Sequence, residues 1–284
     1  MASPQHYFKN RTVVIATKHR KEQVIAPLLQ KYLEVNWFVP EKFNTDSFGT
    51  FTGEIERREE PISTLRNKCL KAMETYNCDL GVASEGSFGN HPNLFFSYAD
   101  EELVILIDKK NNLEILARML SVETNFNGAE IASVNDLKLF AQKTLFPSHA
   151  LILRNQKMSN KKIIKGITSW DRLVESFKQI KNEFGSVYAE TDMRAMYNPT
   201  RMKIIKRATE NLIDLINSQC PNCDMPGFSI KEIRRGLPCN FCNSPTNSVI
   251  SHIFSCSRCA FTEEKIYPDN RKFEDRMYCD LCNP

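Results

Sequence analysis

Residues 12–33 read Thr-Val-Val-Ile-Ala-Thr-Lys-His-Arg-Lys-Glu-Gln-Val-Ile-Ala-Pro-Leu-Leu-Gln-Lys-Tyr-Leu. The β-branched run Thr12 to Ala16 predicts a buried strand, and from Glu22 to Leu33 the residues Val24, Ile25, Leu28 and Leu29 recur at helical spacing. A strand, a loop and a helix in that order are the opening unit of a layered α/β fold. Val35 to Val39 reads as a second strand, Asn44 to Gly53 as a polar loop, and Pro61 to about Tyr76 as a helix opened by proline at its preferred first position. Leu80 to Ala83 is a short apolar strand, and Ser84-Glu85-Gly86-Ser87-Phe88-Gly89 reads as a turn. Leu103 to Asp108 and Leu113 to Leu120 predict a hairpin across Lys109 to Asn112. Helices are expected over Val134 to Thr144, Trp170 to Phe184 and Thr200 to Ser218, with strands at His149 to Arg154 and Ile163 to Ile167. The alternation predicts an α/β or mixed α+β domain over residues 1–218, followed by a cysteine-rich domain over 219–284.

The chain has 284 residues, 42% hydrophobic and 25% charged, the balance of a soluble globular protein and not of a disordered or fibrous one. Apolar runs such as Leu103 to Ile107 fall far short of the ~20 residues of a membrane-spanning helix, and Met1 to Arg11 lacks a secretory apolar core. The expected location is therefore the cytoplasm, without a membrane partner. A net charge of +4 is spread over short clusters such as Lys18-His19-Arg20-Lys21 and Arg234-Arg235, which argues for nucleic acid only weakly and leaves anionic small molecules open.

Eight of the ten cysteines stand as four CxxC pairs: Cys220/Cys223, Cys239/Cys242, Cys256/Cys259 and Cys279/Cys282. A CxxC turn puts two sulfurs on one side of a knuckle, and two knuckles complete a tetrahedral thiolate shell, so the expectation is two zinc ions and not disulfides. Consecutive knuckles are the simpler grouping, and alternate knuckles the other. A closed shell of four thiolates leaves no open position, so both zincs are structural. The ribbons so formed could contact nucleic acid or protein, or brace a homodimer.

Three segments carry more polar residues than folding needs. Thr17 to Lys21 leaves a strand and enters a helix, a natural anion site. Ser84 to Gly89 follows a strand, where Glu85 could meet a ligand or metal. Glu190 to Arg201 includes Asp192 and Arg194, with Asn198 or Thr200 able to cap the last helix and Arg201 in its first turn, where a cation is unexpected on dipole grounds. An anionic ligand would explain it, and pairing of Arg201 with Asp192 is the plain alternative. His149, after Phe146-Pro147-Ser148, reads as a packed histidine.

In this order the three segments resemble the inosine/xanthosine triphosphate pyrophosphatase superfamily over residues 11–215. Val13 to Thr17 with His19 and Lys21 is similar to that family's opening strand and phosphate loop. Asn67-Lys68-Cys69-Leu70-Lys71-Ala72 is similar to its Asn-Ala-x-x-Lys-Ala helix, and Ser84-Glu85-Gly86 to its acidic turn. Asn198-Pro199-Thr200-Arg201 resembles its Ser-His-Arg segment, keeping only the arginine. The whole chain also resembles a bacterial domain-of-unknown-function family that joins such a domain to a zinc ribbon.

The resemblance implies a two-lobed sheet-and-helix domain and a magnesium-dependent phosphohydrolase acting on a nucleotide or related phosphate ester. In it Lys21 and Lys71 neutralise phosphate, and Glu85 binds metal and orients water. Thr17, His19, Asn67, Ser84, Gly86, Arg194 and Arg201 hold the substrate. The family's paired aspartates are absent, which leaves Glu85 to share the metal with another acid, Asp46 or Glu54 being candidates. The competing readings are a nucleotide-binding or sensing protein without catalysis, and a nucleic-acid-binding zinc-ribbon protein.

Overall fold

The β-branched run forms β1 (Thr12–Ala16), and its residues Val13 to Ala16 are buried on both faces, as a strand covered by helices on two sides must be. The computed structural model describes residues 4–41, 60–157, 159 and 161–284. From β1 the chain enters α1 (Glu22–Leu33) and returns through β2 (Asn36–Phe38), which pairs parallel with β1. Helix α2 (Pro61–Thr75) starts at Pro61 and leads to β3 (Leu80–Asn90), parallel to β1 on its other side. Then β4 (Tyr98–Asp108) and β5 (Leu113–Ser121) continue as an antiparallel meander, giving the order β2-β1-β3-β4-β5.

The pleat sends alternate residues to opposite faces. One face carries Ile15, Val82, Leu106 and Ile115 against Ile25 and Leu29 of α1 and Ile205 and Leu212 of α5 (Pro199–Asn217). The other carries Val14, Ala83 and Ile105 against Leu65, Cys69 and Met73 of α2. A second lobe is inserted between β5 and α5. It holds β6 (Gly128–Glu130), α3 (Val134–Lys143), β7 (Leu151–Arg154), β8 (Ile163–Ile167), α4 (Trp170–Phe184) and β9 (Tyr188–Thr191). Its antiparallel sheet, ordered β6-β9-β7-β8, packs α3 and α4 through Leu137, Phe140, Leu173 and Phe177. The expected mixed α/β architecture is present, with five α-helices among the described residues.

The stretch read as a turn, Ser84 to Gly89, is instead the second half of β3. Each of these residues faces a partner on β4, from Ser84 opposite Val104 to Gly89 opposite Ala99. The chain reverses later, over residues 91–97, where Nδ1 of His91 accepts the N–H groups of Asn93 and Leu94. The expected loop Asn44 to Gly53 lies outside the described residues.

The tail contains β10 (Ser229–Arg235), β11 (Val249–Ser255) and β12 (Thr262–Ile266) in one antiparallel sheet. Its beginning shares the core of the first lobe. Cys220, Met225, Phe228 and Cys256 are buried in the same cluster as Leu113 and Ile115, and a Cβ on Gly227, whose φ is +87°, would lie 3.0 Å from Cγ1 of Ile115.

Candidate functional site

The eight CxxC cysteines form two groups, in each of which the four sulfurs lie within 4.8 Å of one another. Cys220 and Cys223 join Cys256 and Cys259, while Cys239 and Cys242 join Cys279 and Cys282. This is the alternate grouping, not the simpler consecutive one. The β10–β11 register explains it: Ser229 faces Ser255, so the knuckle before β10 meets the knuckle after β11. At the other end of the hairpin Cys239 bridges to Glu274, which draws the last knuckle to the second. Sulfur pairs stand 3.6 Å apart (Cys220 with Cys259, Cys223 with Cys256, Cys242 with Cys279) and 3.9 Å apart (Cys239 with Cys282). A tetrahedron of ~2.3 Å zinc–sulfur bonds has edges of about 3.8 Å, so both groups fit one zinc each.

A second constellation lies beyond the carboxyl end of β1, where cations from three helices meet the strands β3 and β4. Lys21, the residue before α1, is buried with its ammonium 3.7 Å from Oε2 of Glu102. Lys68 of α2, also buried, donates to the carbonyl of Ser84 at 2.5 Å and to Oε2 of Glu85 at 2.7 Å. Arg201 in the first turn of α5 is 1% exposed; its Nε donates to Oε1 of Glu102 at 2.6 Å and its Nη1 to the carbonyl of Met193. Its guanidinium lies 5.0 Å from the Phe88 ring centre. Asn198 caps α5 by accepting the Arg201 N–H at 2.9 Å.

Pleat parity divides the acids. Glu85 points to the α2 face with Lys68, while Glu102 and Asp100, two residues apart on β4, share the α5 face. Gly86 sits opposite Glu102, and a Cβ there would collide with the Glu102 carboxylate and stand 2.5 Å from Nη2 of Arg201. Glycine at 86 is what lets this ion pair lie across β3. Asp100 is fully buried, and neither carboxylate oxygen has a hydrogen-bond partner among the described residues; the same holds for Oε2 of Glu102. Burial, reinforced by the Glu102 charge, pushes the Asp100 carboxyl up to about 8. Burial also brings the Lys21 ammonium down to about 8, against the pull of Glu102. An acid and a base displaced toward each other in one buried place make this constellation a candidate functional site.

The sequence-based residues divide accordingly. Lys21, Ser84, Glu85, Gly86 and Arg201 lie in this constellation, and Thr17 is buried where the chain leaves β1. His19 and Arg20 both have φ of 63°, an unusual left-handed pair that shapes the loop before α1. Lys71 does not join. The buried stripe of α2 runs through Thr64, Leu65, Lys68, Cys69, Ala72 and Met73, which leaves Lys71 exposed and paired with Glu74 at 2.8 Å. The lysine that enters is Lys68, while Asn67 beside it is exposed.

Asp192 pairs with Arg194, at 2.9 and 2.5 Å, and not with Arg201; Arg194 also stacks on Tyr197, 4.6 Å from its ring centre. His149 is buried beside Thr200, with Nε2 2.9 Å from its hydroxyl, and burial lowers its pKa, so it positions the start of α5. Asp46 and Glu54 lie outside the described residues. Sequence reasoning missed Asp100 and Glu102, because they stand in the unbroken acidic run Asp100-Glu101-Glu102, which shows no alternation of charged and apolar residues.

No α-helix among the described residues is long and apolar enough to cross a membrane. Among the described residues only the two cysteine groups bring three or more potential metal ligands together. No curated protein matches the chain. Residues 68–284, which take in both cysteine groups and every member of the charge constellation except Lys21, match the family described as a domain of unknown function (DUF6671).

Proposed function

The chain belongs to the DUF6671 family, whose description assigns no chemistry, and from that premise we propose that the charge constellation is a phosphate site and the protein a phosphohydrolase acting on a nucleotide. One observation carries the reading. Lys21, Lys68 and Arg201, each buried, converge from three helices on the strand ends beyond β1, in a fold whose strand-to-helix crossing there favours anions. The resemblance of residues 11–215 to nucleoside triphosphate pyrophosphatases supports the nucleotide as substrate class.

Each residue of the constellation then has a task. Lys21 and Lys68 neutralise phosphate oxygens, and charge held in place before the ligand arrives favours the transition state most. Arg201, fixed by Asn198 and Glu102, presents a guanidinium that cannot lose its proton. Glu85 on β3 orients the attacking water once Lys68 turns to the substrate. Magnesium, implied by the resemblance, fits the donor chemistry, because Asp100 and Glu102 carry three buried carboxylate oxygens without hydrogen-bond partners among the described residues. When bound it would neutralise phosphate charge and acidify a water.

A second reading, binding without turnover, is favoured by the 2.7 Å Lys68–Glu85 pair, which ties up the carboxylate that would orient water. The test is release of phosphate and diphosphate by zinc-loaded full-length protein from a panel of nucleoside di- and triphosphates with magnesium. Selective release is expected, falling by about 100-fold or more in Lys68→Met and unchanged in Lys71→Ala. Silence across the panel sinks the hydrolase, and ligand-dependent thermal stabilisation then reports the binding protein.

A further inference from the structure

Two acids on one face of β4 are not explained by folding alone. Asp100 is fully buried and Glu102 equally so; among the described residues both oxygens of Asp100 are unsatisfied, and Glu102 gives one oxygen to Arg201 and has no donor to the other. Among the described residues, the cation that approaches Glu102 besides Arg201 is Lys21, whose ammonium stops at 3.7 Å, beyond hydrogen-bonding distance. A carboxylate pair that is dehydrated, uncapped and held on a rigid strand is suited to a hard cation, which takes oxygen ligands and supplies charge without needing a donor proton. An apolar residue or an amide would fill the same space at lower free energy if no ligand entered.

We propose that Asp100 and Glu102 form a divalent-cation site that fills without any nucleotide present, and that filling it releases Lys21 from Glu102. The cation and the Lys21 ammonium compete for one oxygen, Oε2 of Glu102. Lys21 yields readily, because at 3.7 Å it makes no hydrogen bond to that oxygen. Released, its ammonium is available to a phosphate held at its own loop, residues 17–21. The cation therefore raises anion affinity, and by linkage the anion raises cation affinity by the same factor. The release of Lys21 rests on the phosphate-site reading; occupation of the carboxylates does not.

Manganese serves as the probe, added to zinc-loaded full-length protein without nucleotide, with free manganese followed by its paramagnetic signal. One ion per chain is expected. Asp100→Asn should weaken binding by about 100-fold while keeping two zincs and an unchanged circular dichroism spectrum. Lys21→Met, which removes the competitor, should tighten it by roughly threefold or more. Absence of manganese binding in the parent protein overturns the proposal, as does equal binding by Asp100→Asn. Weaker binding by Lys21→Met overturns the competition, and this variant serves should Asp100→Asn not fold. Inorganic pyrophosphate binding is measured in parallel with a magnesium chelator present. Pyrophosphate bound without any manganese site leaves the phosphate reading standing and this proposal overturned; manganese bound without pyrophosphate does the reverse.

Discussion

Gly86 shows how one missing side chain holds a site open. The strand β3 passes directly over the Glu102–Arg201 pair, and a single methyl at position 86 would drive into both charged groups. Neither partner can retreat, since Arg201 is also fixed by the Met193 carbonyl and both are buried. Gly86→Ala should therefore cost about 3 kcal/mol, in the range for overpacking a core and disturbing a buried pair. Gly89→Ala, three residues along the same strand, meets nothing within 4 Å and should cost less than about 0.5 kcal/mol. Urea midpoints of the two variants check the contrast, and equal shifts would refute it.

At the scale of elements, helices are the legible part of the sequence. Pro61, Ser133, Ser169 and Asn198 each stand at a start signal, and α2, α3, α4 and α5 begin within a residue of the expected positions. Ser133 makes a full capping box with Asp136. Local rules fail on the β3–β4 hairpin, where it matters most. Glycines at 86 and 89 look like a turn, and Asp100-Glu101-Glu102 looks like a solvent loop, because those rules assume that charge faces water. A site that buries charge breaks that assumption, which is why Asp100 and Glu102 escape notice in the sequence. Lys71 stands in for Lys68 there for a different reason: motif spacing does not reveal which stripe of a helix is covered.

The two cysteine groups carry a prediction at the same scale. The first cysteine group is embedded in the first lobe's core through Cys220, Cys256, Met225 and Phe228, whereas around the second Phe241 and Leu281 are largely exposed. Cys223→Ser and Cys242→Ser should each reduce bound zinc from two ions to one. Only Cys223→Ser should also lower the main thermal transition, by about 5 °C or more. Zinc content by mass spectrometry with parallel calorimetry decides it, and equal melting losses would count against the shared core.

For the whole molecule, the buried acid and base leave an imprint on stability against pH. Free of divalent cation, the folded state holds the Asp100 proton up to about 8, whereas the unfolded chain releases it near the ordinary carboxylate value of 3.8. The native state therefore binds more protons between about 4 and 8, and stability falls as pH rises through that window. Lys21, brought down from 10.5 to about 8, acts in the opposite sense above that point, where the unfolded chain holds the extra proton and stability rises. A minimum near pH 8 results, with a slope on the acid side of at most about 1.4 kcal/mol per pH unit for one proton. Subtracting the profile of Asp100→Asn from that of the parent should isolate the acid limb; a flat difference would refute the buried proton.

The crossed cysteine groups bear on how the protein comes off the ribosome. In the finished molecule 32 residues separate Cys223 from Cys256 and 36 separate Cys242 from Cys279, against 15 between Cys223 and Cys239. Doubling such a loop adds only about 0.6 kcal/mol of closure entropy, so the mature arrangement is hardly penalised by its reach. Its timing is another matter. During synthesis Cys220, Cys223, Cys239 and Cys242 all leave the ribosome before Cys256 does. Any zinc captured by those four must exchange two of its thiolates before the native centres can close, because the β10–β11 register sets Cys223 beside Cys256 and not beside Cys239.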